Sequence, residues 1–560
     1  MVGVSIEKLI FNDGTEVEVN PTDIVVFVGP NNAGKSRSLK DIFGLLSLPQ
    51  GSIVVRDVVR RLHQVGEIKN RVTNMSTALM RSDQTCDYYG YNYNIYQRQL
   101  DEIEMRDRLR EGIRAFLVSN VKTEERLGTA DPKEVPGRGQ AKQNPLQYMT
   151  DKDIRNSVSE VFQKIFNQYV YCYDKATNKL YLHIGPKIEF DQNGLSADQI
   201  SDTYYQKMDE LPKLNEQGDG IRSLAGLLMN VMMPNYSMYL IDEPEAFLHP
   251  PQARTLGSTL PELLVEKQTF ISTHSIDLIK GLLTAARDRI KIVRITRNED
   301  ENHIKKLEDT DINIIWNDPI MRHSNMLDGL FYEHTVLCES DSDCQLYSLI
   351  LEYEKEQAGQ RSDTLFIHCG GKGRMHLIIK ELRALGIDYR VIPDLDVFND
   401  RILIRRIVEN SGGNWAAMQE DYDILFAEMN MPDGTMNPDE FMDALRQKIA
   451  NRGITDISKT EAKKIGNDAK DLLDNQWDKL KKQGEDYIQD QRIKEALGRL
   501  ITELNRLKVY PVKAGELENF IHIPGMQHGP GWAMGVIEAY PDFGNVVYDK
   551  VKEFVRSWGL

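Results

Sequence analysis

The chain has 560 residues, a formal net charge of -16, 28% charged and 41% hydrophobic side chains, which excludes a fibrous or disordered protein and predicts about two to four domains. Five cysteines with no Cys-x-x-Cys pair exclude a disulfide framework and a zinc ribbon. The N-terminal MVGVSIEKLIFNDGTE meets acidic residues before any long apolar run, and stretches such as Leu224 to Met233 are too short to span a membrane, so a soluble, cytoplasmic protein is expected.

In chain order, the apolar run Ile24 to Val28 predicts a strand, followed by a Gly-rich turn and a helix from about Lys35 to Leu46. The next core strands of that region are expected only at Met238 to Ile241 and Phe270 to Thr273. The long stretch between must therefore form a subdomain, with a helical insertion over about 51–165. Residues 51 to 150 carry 16 Lys/Arg and 13 Asp/Glu, a local balance of +3. Within them, IYQRQLDEIEMRDRLREGIRAFLVSNV reads as a surface helix or helical hairpin. Arg106, Arg108, Arg110 and Arg114 would meet phosphates there, or pair with acids on a solvated helix face. Thr129 to Gln147, rich in Pro, Gly and Gln, reads as a loop.

A second α/β rhythm begins at Thr335: TVLC strand, DCQLYSLILEYEKE helix, TLFIH strand, MHLIIKELRAL helix, YRVIP strand. It predicts a parallel sheet. The rhythm stops at Asp396 and resumes at Val509 to Val512, so residues 401–508 read as a second helical insertion.

Two sites stand out. Gly29-Pro-Asn31-Asn32-Ala33-Gly34-Lys35-Ser36 fits the phosphate-loop pattern G-x-x-x-x-G-K-[ST] between a strand and a helix. Its backbone N–H groups would cradle ATP phosphates, with Lys35 at the β/γ oxygens and Ser36 on Mg2+. A chance match is on the order of one in fifty. Asp242 and Glu243 end the strand MYLID, where Asp242 would hold Mg2+ through water and Glu243 would orient the attacking water. His274, after another strand, is placed to reach the γ-phosphate.

These residues resemble the ATP-binding-cassette type of ATPase found in the SMC, RecF and OLD families. The run Asp242-Glu-Pro-Glu-Ala-Phe-Leu-His-Pro250 is similar to their DEPExxLHP run. The transporter-like LSGGQ is absent; Gly218-Asp219-Gly220-Ile-Arg-Ser resembles the OLD-type signature, although such a turn is also an ordinary helix entrance. If it is a signature, the resemblance implies ATP held between two protomers, hence at least a homodimer. No long coiled coil separates the ATPase halves, which excludes an SMC-like rod.

At the second site Glu339 ends the strand VLC and Asp343 follows it. Asp394 and Asp396 alternate after YRVIP, so both face one way, and Lys513 and Glu518 follow the strand VYPV. Carboxylates without His or Cys suit Mg2+ or Mn2+. In this order, with Cys369-Gly370-Gly371-Lys372-Gly373 between, they resemble a TOPRIM domain, with Ser340 where many have glycine. The resemblance implies metal acids at Glu339, Asp343, Asp394, Asp396 and Glu518, and a charge-neutralising Lys513. Glu339 is left as either ligand or general base. His323, His334 and His368 read as structural, and Cys338, Cys344 and Cys369 as small buried hydrophobes.

An ATPase of this type followed by TOPRIM resembles the OLD-family nucleases, which include the nuclease subunit of the Gabija anti-phage system. The implied organisation is an ABC/AAA-type ATPase domain over 1–325, a TOPRIM domain over 330–530 and a helical tail over 531–560. The implied activity is ATP-regulated, metal-dependent cleavage or nicking of DNA in phage defence, with a partner protein or a retron reverse transcriptase and its DNA as settings. The alternatives are cleavage of structured RNA and a DNA-repair or scaffolding ATPase with an inactive TOPRIM fold.

Overall fold

Continuous apolar runs mark strands covered on both faces, and the first half of the chain is built on them. The computed structural model describes residues 2–47, 51–80, 86–90, 93–106, 108–137, 140–173, 178–193, 196–308, 310, 312, 325–430, 437–451, 457–472, 475–523 and 531–560. Two compact units divide the chain, Met1–Asn313 and Ile314–Leu560.

The first unit contains, in order, Gly3–Phe11 (β1), Ile24–Val28 (β2), Lys35–Leu45 (α1), Val55–His63 (β3), Val118–Val121 (β4), Thr123–Thr129 (α2), Asp219–Val231 (α3), Met238–Asp242 (β5), Pro250–Leu263 (α4), Gln268–Ser272 (β6), Ile276–Ala286 (α5), Ile290–Asn298 (β7) and Glu301–Lys306 (β8), with shorter elements between. β2 and β6 are buried at every residue. The central sheet has the order β8-β7-β2-β6-β5-β4, parallel throughout except for the β7–β8 pair. β1 pairs antiparallel with β3 and with Glu16–Glu18 in a second sheet.

The stretch 51–165 is not a purely helical insertion. Val55–His63 pairs with β1, and Val118–Val121 is an edge strand of the central sheet beside β5. The run expected to form one helical hairpin breaks into Gln97–Asp101, Glu111–Leu117 and then β4. The short apolar segment FLVSNV has no decisive period, and pairing with β5 settles it as strand. Thr129 to Gln147, expected as a loop, carries the short strand Lys133–Glu134 and the start of a turn of helix at Pro145–Thr150 among its described residues.

Asp41 on α1 locks this part together. It is 3% exposed and accepts from the backbone N–H groups of Ile53, Val54 and Val55 at 3.0, 2.7 and 3.1 Å and from Arg37 at 2.8 Å. Asp41→Ala strands those donors, and a loss of about 3 kcal/mol is expected, read as a lower urea midpoint.

The second unit contains His334–Cys338 (β9), Asp341–Gln357 (α6), Thr364–His368 (β10), Met375–Ala384 (α7), Asp388–Ile392 (β11), Arg401–Asn410 (α8), Trp415–Met429 (α9), Gln476–Gln483 (α10) and Gln491–Arg506 (α11). Pro438–Asn451 and Lys459–Asp471 are further helices between α9 and α10. The strand order is β10-β9-β11, all parallel, and Val509 and Val512 bridge in parallel to Val391 and Asp394. The strand–helix alternation is thus as read from the sequence, and the described part of 401–508 is helical.

Residues 531–560 are not a tail outside the domain. Trp532, Val536, Tyr548, Val551, Val555 and Trp558 share one buried cluster with Val336, Leu346, Tyr347 and Ile350. The three-strand sheet is small, and these apolar side chains close its open face.

Candidate functional site

In the first unit, three adjacent parallel strands deliver their carboxyl ends to one place. Asp242 on β5 is level with Ser272 on β6, which is level with Phe27 on β2. Ligand chemistry gathers at such ends. The phosphate loop follows β2, with positive φ at Gly29 (147°), Asn32 (62°) and Gly34 (104°). A Cβ on Gly29 would lie 1.9 Å from the Ile295 carbonyl oxygen, so no other residue fits. Asn302 on β8 buttresses the loop by donating to the Ala33 carbonyl at 2.8 Å. Lys35 is buried, its Nζ donating to the loop carbonyls of Gly29 and Pro30 at 2.8 and 2.7 Å, and Ser36 follows it half-buried at the helix start. Asn31 and Asn32 are exposed and Ala33 is buried.

Ser272 donates to the Asp242 carboxylate. Glu243 takes a positive φ of 45°, its N–H donating to the Ser272 carbonyl and its Oε1 lying 2.8 Å from Nε2 of His274. That hydrogen bond holds the Glu243 carboxyl below the usual carboxylate range. Glu243 and His274 therefore form a pair at the mouth of the loop, suited to orienting a water. Behind them, Glu245 accepts from Thr273 Oγ1 at 2.6 Å and from His274 N–H at 2.9 Å, and burial pushes its carboxyl up.

Gly218 caps α3, and Gly218 and Asp219 are exposed. A Cβ on Gly220 would lie 2.7 Å from the Phe247 carbonyl oxygen, which ties this entrance to the Asp242–Pro250 run. Sequence reading missed Arg126 and Thr123 on α2, which support the carbonyls of Glu243 and Asp242 at 2.8 and 2.9 Å. Burial lowers the Arg126 guanidinium to about 10 against the carboxylates of Glu245, Asp242 and Glu243. Of the four insert arginines, Arg106 pairs with Glu102, Arg108 with Asp57, and Arg114 is 6% exposed with its guanidinium 3.9 Å from the Phe43 ring centre. Of these three, Arg114 is packed inside the fold and the other two pair with acids.

In the second unit Glu339 leaves the end of β9, and Asp394 and Asp396 leave the end of neighbouring β11, where Cys338 is level with Ile392. One carboxylate oxygen from each of Glu339, Asp394 and Asp396 lies within 4.8 Å of the others. Glu339 Oε2 and Asp396 Oδ1 are buried without a hydrogen-bond partner. Buried acceptors of that kind are costly unless a cation satisfies them, so the donor set fits a hard divalent ion. Burial, together with the Glu339 carboxylate, pushes Asp394 up to about 8 against the opposing pull of Lys481.

Two lysines face this group. Lys481 of α10 lies 2.7 Å from Asp394 and 3.8 Å from Asp396 and from Glu516, and Lys372 lies 2.7 Å from Asp396. Neither lysine nor Glu516 was assigned from sequence. Lys481 sits in an unremarkable DKLKKQ run within the insertion, whereas Lys372 belongs to the Gly370-Gly371-Lys372 step. Gly370 and Gly371 have φ of 68° and 109°, and the Gly371 N–H donates to the Glu339 carbonyl at 3.2 Å.

Asp343 stands outside the three-carboxylate group, closing a capping box on α6 by accepting from the Ser340 N–H at 2.8 Å. Glu518 is half-buried on the turn Leu517–Phe520, also outside the group. Lys513 has an exposed side chain, and its carbonyl accepts from the Glu485 N–H at 2.9 Å. His334 pairs with Asp388 at 2.8 Å, His368 is exposed at the end of β10, and His323 lies outside the described residues. Cys338, Cys344 and Cys369 are buried, and burial raises Cys338 and takes Cys369 to about 12, which makes those two poor redox sensors. Among the described residues no helix is long and apolar enough to cross a membrane.

A model of the AAA ATPase domain matches residues 87–279, and a model of the Overcoming lysogenization defect protein-like TOPRIM domain matches residues 330–396. The second span holds Glu339, Asp394 and Asp396. Among curated proteins the chain is similar to Endonuclease GajA of Bacillus cereus (strain VD045), 24% identical over 264 residues, 45% of this chain and 43% of that protein. The chain thus spans less than half the length of that relative. Similar solved structures include an SmcHead bound to the C-winged helix domain of ScpA, 13% identical, TM-score 0.34, covering 54% of this chain and 97% of that one. Another is the SMC head domain from Thermotoga maritima, 14% identical, TM-score 0.28, covering 54% and 99%.

Proposed function

We propose that the chain is an ATPase–TOPRIM protein of the OLD type, an ATP-regulated, divalent-metal-dependent endonuclease that cuts or nicks DNA in anti-phage defence. The observation that carries the reading is the meeting of Glu339, Asp394 and Asp396, with two of their oxygens buried and unpartnered. The similarity to a protein named an endonuclease supports the same reading.

Each residue then has a task. A bound Mg2+ or Mn2+ supplies Lewis-acid polarisation of a phosphate oxygen and a more acidic water. Glu339, Asp394 and Asp396 hold their positions at two strand ends, and Lys372 and Lys481 keep the aspartates oriented. Lys513 adjoins Val512, which bridges to Asp394, and offers an exposed cation to a scissile phosphate. In the first unit Lys35 would exchange the loop carbonyls for phosphate oxygens, Ser36 and, through water, Asp242 would hold Mg2+, and Glu243 with His274 would orient a water. The exposed Gly218-Asp219-Gly220 entrance completes the ATP site of a second copy, so the working form is a homodimer or larger.

The test is purified protein on supercoiled plasmid with Mg2+ or Mn2+, with and without ATP. Metal-dependent nicking supports the reading, and inert plasmid beside cleaved structured RNA replaces DNA with RNA. Proteins or retron DNA that co-purify from the native host identify the setting. Mn2+ at about a hundred times its Kd is expected to add about 2.7 kcal/mol of stability, seen as a higher melting temperature. Asp394→Ala should erase that shift.

A further inference from the structure

Arg126 is a buried cation near the nucleotide site to which the proposed chemistry gives no task. It lies on α2 with 1% of its surface exposed. Its Nη2 donates to the Glu243 carbonyl at 2.8 Å, while Nε and Nη1 are buried without a hydrogen-bond partner. A buried guanidinium with idle donors is expensive, so a fold that needed only packing would fill the place with an apolar side chain. The carbonyl it holds belongs to a non-glycine residue at φ 45°, a conformation that persists only where its surroundings enforce it. The same helix is clamped against α3: a Cβ on Gly226 would lie 2.2 Å from the Arg126 carbonyl oxygen, and Arg222 donates to the Leu127 carbonyl at 3.2 Å. α3 begins at the Gly218–Gly220 entrance. Arg126 thus stands between that entrance and the carboxylate that orients water.

We propose that Arg126 is a positioning residue for ATP hydrolysis, fixing the backbone of Glu243 so that its carboxylate faces His274, and linking that geometry to the placement of α3. The inference rests on the reading of this site as an ATPase. Arg126 touches neither the phosphates nor the water; it sets where Glu243 stands. A displacement of about 1 Å at such a carboxylate costs about 100-fold in rate.

The experiment is steady-state ATP hydrolysis by the full chain, comparing wild type, Arg126→Met, Arg126→Lys and Glu243→Gln, with melting curves and ATP affinity by calorimetry. Arg126→Met is expected to lose about 100-fold in kcat with KM and ATP affinity within twofold. Arg126→Lys, which keeps a cation and a donor for the Glu243 carbonyl, should recover part of the loss. Wild-type kcat in a folded Arg126→Met protein overturns the proposal. So does an equal collapse of kcat, ATP affinity and melting temperature in both Arg126 variants, which is what a purely structural role predicts. Absence of hydrolysis in wild type, matched by Glu243→Gln, overturns the ATPase reading itself and this inference with it.

Discussion

Asp394→Ala is expected to lower phosphodiester cleavage by at least about 1,000-fold, because it removes one of three converging carboxylates and the nearest partner of Lys481. Alanine leaves Glu339 and Asp396 as two of the three converging carboxylates, too few to hold a hard ion firmly. Lys481 would then turn toward Asp396 or Glu516, 3.8 Å away from it in each case, and draw positive charge into the place of the ion. ATP binding should be untouched, because the nucleotide loop belongs to the other compact unit. Plasmid nicking and ATP calorimetry on one preparation check both halves. Loss of ATP binding in a folded Asp394→Ala protein would falsify the two-site description.

Lys35→Ala should weaken ATP binding by about 100-fold, equivalent to about 2.7 kcal/mol, as expected for losing charge-assisted hydrogen bonds to phosphate. The wild-type ammonium is buried against the Gly29 and Pro30 carbonyls, so it sits preplaced at the loop and reaches the phosphates with little reorganisation. Alanine fits the helix, and the fold should survive, with a melting temperature close to wild type. The expected readout is a heat of ATP binding too small to measure at concentrations that saturate wild type. If ATP restrains rather than licenses the nuclease, the same variant should nick plasmid with ATP present.

The strands that carry motifs were legible because each joins an apolar run to a residue type with one evident use: β2 with its glycine loop, β5 with Asp242-Glu243, β11 with Asp394 and Asp396. β4 was not, since four residues following a helix have no period of their own and become strand only by pairing with β5. The acids at strand ends could be read, while the capping-box role of Asp343 could not, because a capping acid and a metal ligand share one residue type and one residue can serve as either. Lys481 shows the opposite failure. It reaches Asp394 from an insertion helix some ninety residues later in the chain, and no spacing rule joins residues that only tertiary packing brings together. Arg126 was hidden for the same reason, since only tertiary packing brings it from the polar TEER run to the Glu243 carbonyl.

The placement of Trp532, Tyr548 and Trp558 in the core of the second unit has a consequence for the order in which the protein is made. Asp394 and Asp396 leave the ribosome long before those aromatic residues, and Arg390, beside them on β11, waits for the Trp558 carbonyl that it bonds at 2.8 Å. At ordinary rates of synthesis the delay is on the order of ten seconds. Through that interval the sheet lacks one wall, while the first unit already has all of its described strands. A newborn chain therefore completes the sheet around its phosphate loop first and the core beside its three converging carboxylates last.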